Sequence, residues 1–326
     1  MKKGLSPGTL RIPDSLRENL YSWWGLKVQR MDLLPGDGSL RTFLRLHLRE
    51  RESLILILPQ PGELGLREAR TYYRLGLFFR NHGIPVPEIL AYREPEGLLL
   101  VEDLGDMRLC QHPERHQFYP RVVEILVSLQ LLASQFPREA VLETLFYDGP
   151  LIWEKEILYF ENWYLRKYRG RGWLPGEKAL WQEFLTEGLS HFSATVVLHR
   201  DFQSRNLMVK EGRLYLLDFQ AARLGPPSYD LVSFLYDPYL EDLPRKRLFK
   251  LYLLLRDCDE ESLLLEMRYT RIFRLMQALA AFVRLSSLGK PGFKEYIPRA
   301  EKRLYALLPP KLKKTLPRSL FIFEAP

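Results

Sequence analysis

Cysteine is nearly missing from this chain of 326 residues. Its two copies, Cys110 and Cys258, lie far apart and neither belongs to a C-x-x-C pair. A structural zinc site and a disulfide framework are therefore excluded as organising elements, and a reducing, cytoplasmic setting is expected. Long apolar runs are missing as well. Stretches such as Leu98–Val101 and Leu253–Leu255 are far too short to cross a bilayer. The opening MKKGLSPGTLRIPDSLREN has no apolar segment behind its lysines, so no signal peptide is read there. Asn occurs only as Asn19, Asn81, Asn162 and Asn206; alongside many Arg, Glu and Pro this is a heat-adapted composition. No zinc-finger, homeodomain or RNA-recognition signature is present. Lys and Arg number 48 against 40 Asp and Glu, a formal net charge of +8, but they are spread along the chain and cluster tightly only at Lys311, Lys313, Lys314 and Arg318. That distribution reads as a solvated basic surface rather than a nucleic-acid footprint.

What is present is a globular composition, 46% hydrophobic and 27% charged, on a chain too long for one ordinary core and suited to two lobes sharing a cleft. Leu26–Leu33, Leu40–Leu48 and Ser53–Leu58 read as strands, with Gly36-Asp37-Gly38 as a turn between the first two. A helix is predicted over Leu66–Asn81, where Ala69, Tyr72, Tyr73, Leu75, Gly76 and Phe79 recur at helical spacing before His82-Gly83 ends it. Two further strands fall near Glu88–Tyr92 and at Leu98–Val101. After Gly105 helical periodicity dominates: Phe118–Gln135, Leu151–Tyr168, Glu177–Phe192, Tyr229–Tyr236, Arg245–Arg256, Glu260–Leu288 and Phe293–Leu308. A short hairpin interrupts it, with Val196–Leu198 leading to a loop, Leu207–Val209, a turn at Lys210-Glu211-Gly212, and Leu214–Leu217. The expected organisation is α+β and bilobal. Residues 1–104 form a small five-stranded antiparallel lobe with one helix (1–25 a helical extension), and 105–326 a larger, mostly helical lobe.

The loop leaving Leu198 reads His199-Arg200-Asp201-Phe202-Gln203-Ser204-Arg205-Asn206, and Asp218-Phe219-Gln220 follows the far strand. Phosphoryl transfer needs an acceptor for the attacking hydroxyl's proton and metal ions to neutralise phosphate charge. A carboxylate such as Asp201 suits the first task. An Asn carbonyl oxygen (Asn206) with a second carboxylate (Asp218) suits the second, because Mg²⁺ prefers hard oxygen ligands. H-R-D-x-x-x-x-N followed by D-F-x is the protein-kinase-type signature pair. Each of the three residues alone could merely cap a turn; their order, each at a strand end, outweighs that reading. His199 reads as loop support through its ring, and Asp230, opening a helix, as support through backbone N–H groups. Arg200 and Arg205 leave two readings open, contact with phosphate or substrate and a surface charge.

HRDFQSRNLMV and LYLLDFQAARLGPPSYDLVSFLYD resemble the aminoglycoside phosphotransferase-like kinases, which have the protein-kinase fold, and more closely the anomeric sugar kinases of cell-wall recycling. GDGSLRTFLRL, LLLVEDLGD, WEKEILYFENWYL and RIFRLMQALAAFVRLSSLGKPGFKEYIPR resemble further segments of that group, so that roughly residues 30–300 are covered. The resemblance implies an ATP- and Mg²⁺-dependent kinase. It implies phosphorylation of the anomeric hydroxyl of an N-acetylated amino sugar, with Asp201 as base and Asn206 and Asp218 on the metal, and leaves Arg205 a candidate catalytic residue. It implies a nucleotide-binding first lobe: adenine on the backbone of Glu102, Asp103 and Leu104, phosphates under Asp37, Gly38, Ser39 and Arg41, and Glu68 in the place of a helix Glu that pairs with a strand Lys. On the second lobe Glu156, Asn162 and Trp163, on one predicted helix, read as substrate residues that could hold a sugar, though a plain amphipathic helix would look much the same, and Arg274 (beside Gln277) reads toward a lactyl carboxylate. One departure stands out: the third strand, Ser53-Leu-Ile-Leu-Ile-Leu-Pro59, has no Lys. Arg41 is the cation read in its stead. The missing Lys also leaves open a nucleotide-binding module without catalysis, and the motifs leave open another alcohol (an aminoglycoside, choline or homoserine) as acceptor. A monomer acting on small molecules, without membrane or nucleic-acid partners, is expected.

Overall fold

The computed structural model describes residues 14–36, 40–49, 52–192 and 195–321. The chain forms two compact units: one holds the chain up to Asp106 together with Tyr215–Gln220, the other holds Met107–Leu214 and the chain from Ala221 onward. A division at 104/105 does not anticipate the return of Tyr215–Gln220 to the first unit. Among the described residues no helix is long and apolar enough to cross a membrane.

In the first unit, β1 (Val28–Leu34), β2 (Thr42–Leu48), β3 (Leu54–Leu58), β4 (Ile89–Arg93) and β5 (Leu98–Glu102) make one antiparallel sheet in the order β1-β2-β3-β5-β4. Side chains alternate between faces. Accordingly Leu44, Leu46, Leu54, Leu56, Leu98 and Leu100 share one buried cluster with Leu20 of α1 (Asp14–Trp24) and with Leu26. The opposite parity of the central strands, Ile55, Ile57, Leu99 and Val101, is buried too. Strands apolar on both faces explain why β3 reads as an unbroken run and carries no Lys.

Helix α2 (Glu63–Asn81) lies against β4 and β5. Its glycine at 76 lets two side chains approach: a Cβ there would come within 2.5 Å of Ile89 and 3.2 Å of the Phe219 ring. Phe219 is fully buried, 4.5 Å from the Tyr72 ring and 5.7 Å from that of Phe79. Asp218, just before it, sits at φ +63°, a left-handed conformation that a non-glycine residue keeps only when its surroundings hold it. At the end of β5, Asp103 ties three segments together. It accepts two bonds from Arg45 of β2 at 2.7 and 3.0 Å, one from the Ser53 hydroxyl at 2.6 Å and one from the Gly105 N–H at 2.9 Å. Burial works to raise its carboxyl pKa, but these donors prevail and hold it below the usual carboxylate range.

The second unit is built around α8 (Glu260–Ser287), packed by α6 (Ser228–Leu235), α9 (Ile297–Leu307) and the segment that follows α4 (Gly149–Ile152). That segment was expected as one helix over Leu151–Tyr168. It is instead wound as two π-helical stretches, Trp153–Leu158 and Glu161–Tyr168. Strand β6 (Val196–Leu198) is fully buried and pairs antiparallel with β9 (Arg223–Gly225), too short a strand to be read from sequence. Strands β7 (Leu207–Lys210) and β8 (Arg213–Leu216) are joined by a tight turn with Glu211 at φ +50° and Gly212 at φ +72°, the two left-handed residues that a type I′ connection requires.

Two predictions follow from the first unit. Replacing Phe219 by Ala is expected to cost about 3–5 kcal/mol, the usual price of emptying a packed aromatic site, measured by urea denaturation. For Asp103, a folded pKa below the unfolded value of about 3.9 gives stability that is present above that pH and lost as pH falls through the folded value. The stability gap between wild type and Asp103→Asn should therefore shrink progressively below about pH 4, read from denaturation midpoints.

Candidate active site

In the second unit the loop after β6 hangs on two buried carboxylates at the two ends of α6. Asp230, in the first turn, accepts the N–H of His199 at 2.5 Å and that of Arg200 at 3.1 Å. Asp237, two residues beyond the last turn, accepts the N–H of Ser204 at 2.6 Å. Both acids are fully buried, and burial raises both pKa values against the pull of those N–H groups. His199 is fully buried as well, and its Nδ1 accepts the N–H of Asp201 at 3.2 Å. It thus holds the loop from inside. Arg200 is forced to φ +80°.

Asp201 comes out of this loop with its side chain 40% exposed, whereas the residues that hold it are buried. Its Oδ1 accepts from Arg274 Nη2 at 2.9 Å and its Oδ2 from Asn206 Nδ2 at 3.2 Å. Asn206 Nδ2 also donates to the Asp201 carbonyl at 2.9 Å. Both amide hydrogens are thereby used, and Asn206 Oδ1 makes no hydrogen bond among the described residues. A fixed amide oxygen of this kind is the hard donor that Mg²⁺ takes.

The expected substrate residues disperse. Arg274 was read as facing a substrate carboxylate, but the carboxylate it meets is that of Asp201. Its other nitrogens donate to Ser233 Oγ at 2.9 Å and to Gln277 Oε1, so the guanidinium is fully employed by the protein. Glu156 is 0% exposed, which removes it from direct contact with an acceptor. Its Oε1 accepts from the Tyr229 hydroxyl at 3.1 Å, and Arg200 Nη2 lies 3.5 Å away. Burial raises the Glu156 pKa while Arg200 and Arg274 oppose the rise. Asn162 is exposed, and the Trp163 ring lies under the Lys167 ammonium at 3.6 Å and 6.0 Å from Arg284. Arg284 is ten residues along α8 from Arg274, on the order of 15 Å at 1.5 Å per residue, so Trp163 is not beside Asp201. The Arg205 guanidinium stacks over the rings of Tyr239 at 5.0 Å and Phe293 at 4.9 Å.

In the first unit, Arg41, immediately before β2, is buried with Asp218 Oδ1 at 2.5 Å and Glu68 Oε1 at 3.5 Å. Burial works to lower its pKa, but Asp218 and Glu68 raise it on balance. Gln220 Nε2 donates to the same Asp218 oxygen at 2.9 Å and to Glu68 Oε1 at 3.3 Å, and Gln60 Nε2 donates to Glu68 Oε2 at 3.1 Å. Glu68 therefore has an arginine where the resemblance implied a strand Lys. Gly38 and Ser39 lie outside the described residues, as does Asp37. Of the expected adenine-binding backbone, the Glu102 N–H is taken by Glu88 O at 2.9 Å. The Asp103 side chain is occupied as described above. Leu104 makes no backbone hydrogen bond among the described residues.

Sequence reading missed Asp237, the second anchor of the loop, and Gln220, the clamp on Asp218. It also missed Tyr147 and Tyr229, whose rings hold Arg200 at 4.9 and 5.1 Å. Gln220 had a signal in its place beside Asp218; the others had none at the level of spacing.

Residues 31–264 match the phosphotransferase enzyme family. The chain is 29% identical over 227 residues to an N-acetylmuramate/N-acetylglucosamine kinase of Pseudomonas aeruginosa, a match covering 67% of this chain and 63% of that one. It is 26% identical over 319 residues to a protein of the same name from Caulobacter vibrioides, covering 83% and 85%. The first match thus spans less than two thirds of that relative's length. Among solved structures, a thermostable mutant of aminoglycoside phosphotransferase APH(4)-Ia, in ternary complex with ADP and hygromycin B, superposes with a TM-score of 0.61 at 15% identity. That match covers 90% of this chain and 97% of that one, and it establishes the protein-kinase-like fold. With a family match running through both units and the site residues, this chain belongs to the phosphotransferase enzyme family.

Proposed function

We propose that this protein transfers the γ-phosphoryl group of ATP to the anomeric hydroxyl of an N-acetylated amino sugar, N-acetylmuramate or N-acetylglucosamine. The observation that carries the phosphotransferase reading is Asp201, a half-exposed carboxylate pinned at both oxygens by Arg274 and Asn206. A carboxylate oxygen that accepts one bond retains capacity for another, so Asp201 can accept the acceptor hydroxyl's proton while its orientation stays fixed. The new O–P bond then forms at that hydroxyl as the bond from phosphorus to the β–γ bridging oxygen breaks and ADP leaves. Mg²⁺, when bound, supplies neutralisation of phosphate charge. We assign Asn206 Oδ1 and the Asp218 carboxylate to it as the oxygens that would hold it.

Arg41 is the buried cation of the first unit beside Asp218 and Glu68, and we assign it to the nucleotide phosphates in place of a third-strand Lys. The Leu104 backbone is left for adenine. The sugar acceptor rests on the names of the relatives from Pseudomonas aeruginosa and Caulobacter vibrioides. ATP as donor implies a cytoplasmic site of action, and nothing in the charge distribution calls for a nucleic-acid partner.

Purified protein with ATP and Mg²⁺ is expected to release ADP with N-acetylmuramate or N-acetylglucosamine, and phosphorus NMR should show the phosphate on C1. Turnover of choline, homoserine or an aminoglycoside with neither sugar active would overturn the acceptor assignment. Asp201→Asn should lower kcat by about 10²–10⁴-fold without loss of fold. Arg41→Ala should lower kcat/KM for ATP by about 10²–10³-fold, as for loss of an electrostatic contact to the transferring group. Near-normal ATP kinetics would remove Arg41 from the phosphate site.

A further inference from the structure

Behind the loop that carries Asp201 lies a buried charge cluster that the proposed reaction does not use directly. Arg200 and Arg274 supply two guanidinium groups, and Glu156 and Asp201 two carboxylates. Of these four side chains only Asp201 is substantially exposed: Arg200 is 13%, Arg274 10% and Glu156 0% exposed at the side chain. Arg274 bonds Asp201 directly at 2.9 Å. Arg200 is its chain neighbour, and its guanidinium lies between the rings of Tyr147 and Tyr229, 3.5 Å from Glu156. The charge of Glu156 also acts on Arg274.

The cluster is not assembled for stability. Glu156 Oε2, Arg200 Nη1 and the Tyr147 hydroxyl are all buried with no hydrogen-bond partner among the described residues. Buried polar atoms left in that state are costly, and a buried ion pair is commonly matched or bettered by well-packed apolar side chains. Arg200 also sits in the left-handed region at φ +80°, where a residue with a long side chain needs its surroundings to hold it. Any relaxation of that backbone angle swings the next residue, Asp201. Asp230 fixes the angle through the Arg200 N–H, and the Glu156 carboxylate lies 3.5 Å from the guanidinium.

We propose that Glu156 is a positioning residue for Asp201: its buried carboxylate holds Arg200 between Tyr147 and Tyr229 and balances the two arginines, so that Arg274 and Asp201 remain a matched pair. With Glu156 neutral, two guanidinium groups face the single carboxylate of Asp201, and Arg200 loses the negative charge beside its guanidinium. The π-helical stretch Trp153–Leu158 carries Glu156, and such irregular turns recur where a helix must deliver a functional side chain. The inference rests on Asp201 being the base of the proposed reaction.

The experiment compares Glu156→Gln, Glu156→Asp and wild type in steady-state kinetics with the acceptor that the sugar panel identifies, and in crystal structures without ligands. Glu156→Gln is expected to lower kcat about tenfold or more, with KM for ATP and acceptor unchanged, the pattern of an interaction expressed in the transition state. Glu156→Asp, which keeps the charge, should recover part of the loss. The Glu156→Gln structure should show the Arg200 guanidinium displaced from the two tyrosines and the Arg274–Asp201 bond lengthened or lost. A kcat within twofold of wild type, a rise in KM alone, or a structure with Arg200 and the Arg274–Asp201 bond in place would each overturn the proposal. If Glu156→Gln does not fold, the double variant Glu156→Leu/Arg200→Met removes both charges together, and wild-type kcat in it overturns the proposal equally. The crystallographic comparison needs no acceptor. Failure of wild type to turn over any alcohol would therefore count against the proposed activity, while the structures still decide the role of Glu156.

Discussion

The second unit is arranged around one carboxylate. Asp230 takes two successive backbone N–H groups, those of His199 and Arg200, and this pair of bonds forces the chain into the left-handed turn at Arg200. His199 is thereby drawn into the interior and Asp201 turned out of it. Burying an acid is unfavourable, which is why its pKa rises. Charge-assisted bonds to two N–H groups are the interaction able to offset that cost. Asp237 repeats the device at the other end of α6 with the Ser204 N–H. Between these anchors the loop has little freedom, and Asp201 and Asn206 can settle into mutual hydrogen bonds. A buried helix with an acid at each end thus gives the loop the rigidity that the base role proposed for Asp201 requires.

The first unit solves a different problem, that of placing a cation beside carboxylates without breaking a sheet buried on both faces. The central strand β3 is filled with leucine and isoleucine. The positive charge comes instead from Arg41, just outside β2, reaching Glu68 of α2 and Asp218. Gln220 closes the ring by bonding both acids. Phe219, locked between α2 side chains, keeps Asp218 in place. Compared with a Lys, the planar guanidinium offers several donors in fixed geometry, so it can serve two acids at once.

The fold was legible wherever one periodicity ran undisturbed. The alternating strands of the first unit and the long helix at 260–287 stand where their patterns put them, because alternation and helical repetition report directly on which face is buried. The loop after β6 stood out as a motif, since its chemistry and order are jointly rare. The acceptor residues were not. Glu156, Asn162 and Trp163 share one segment of sequence, and a regular helix was assumed in grouping them. Along the segment Glu156 faces inward and Asn162 outward. Arg274 was read as facing a substrate's carboxylate and bonds Asp201; sequence cannot tell a ligand's acid from the protein's own. Asp237 and Gln220 act through hydrogen bonds that join distant parts of the chain, and such bonds leave no periodic trace.

The π-helical stretches carry one more implication, for what this segment can lose. Glu156 and Glu161 are five residues apart and both fully or almost fully buried. One meets Tyr229 and Arg200, the other Arg166 and Lys178. In an ordinary helix, at 3.6 residues per turn, residues five apart lie about 140° apart around the axis; π winding, with its i→i+5 bonds, brings such a pair back to one face. Rewound as an ordinary helix of the same length, the segment would turn one of its acids out of the interior, Glu161 away from its lysine and arginine or Glu156 away from the loop. The winding of this segment is therefore as strict a requirement as the identity of its acids.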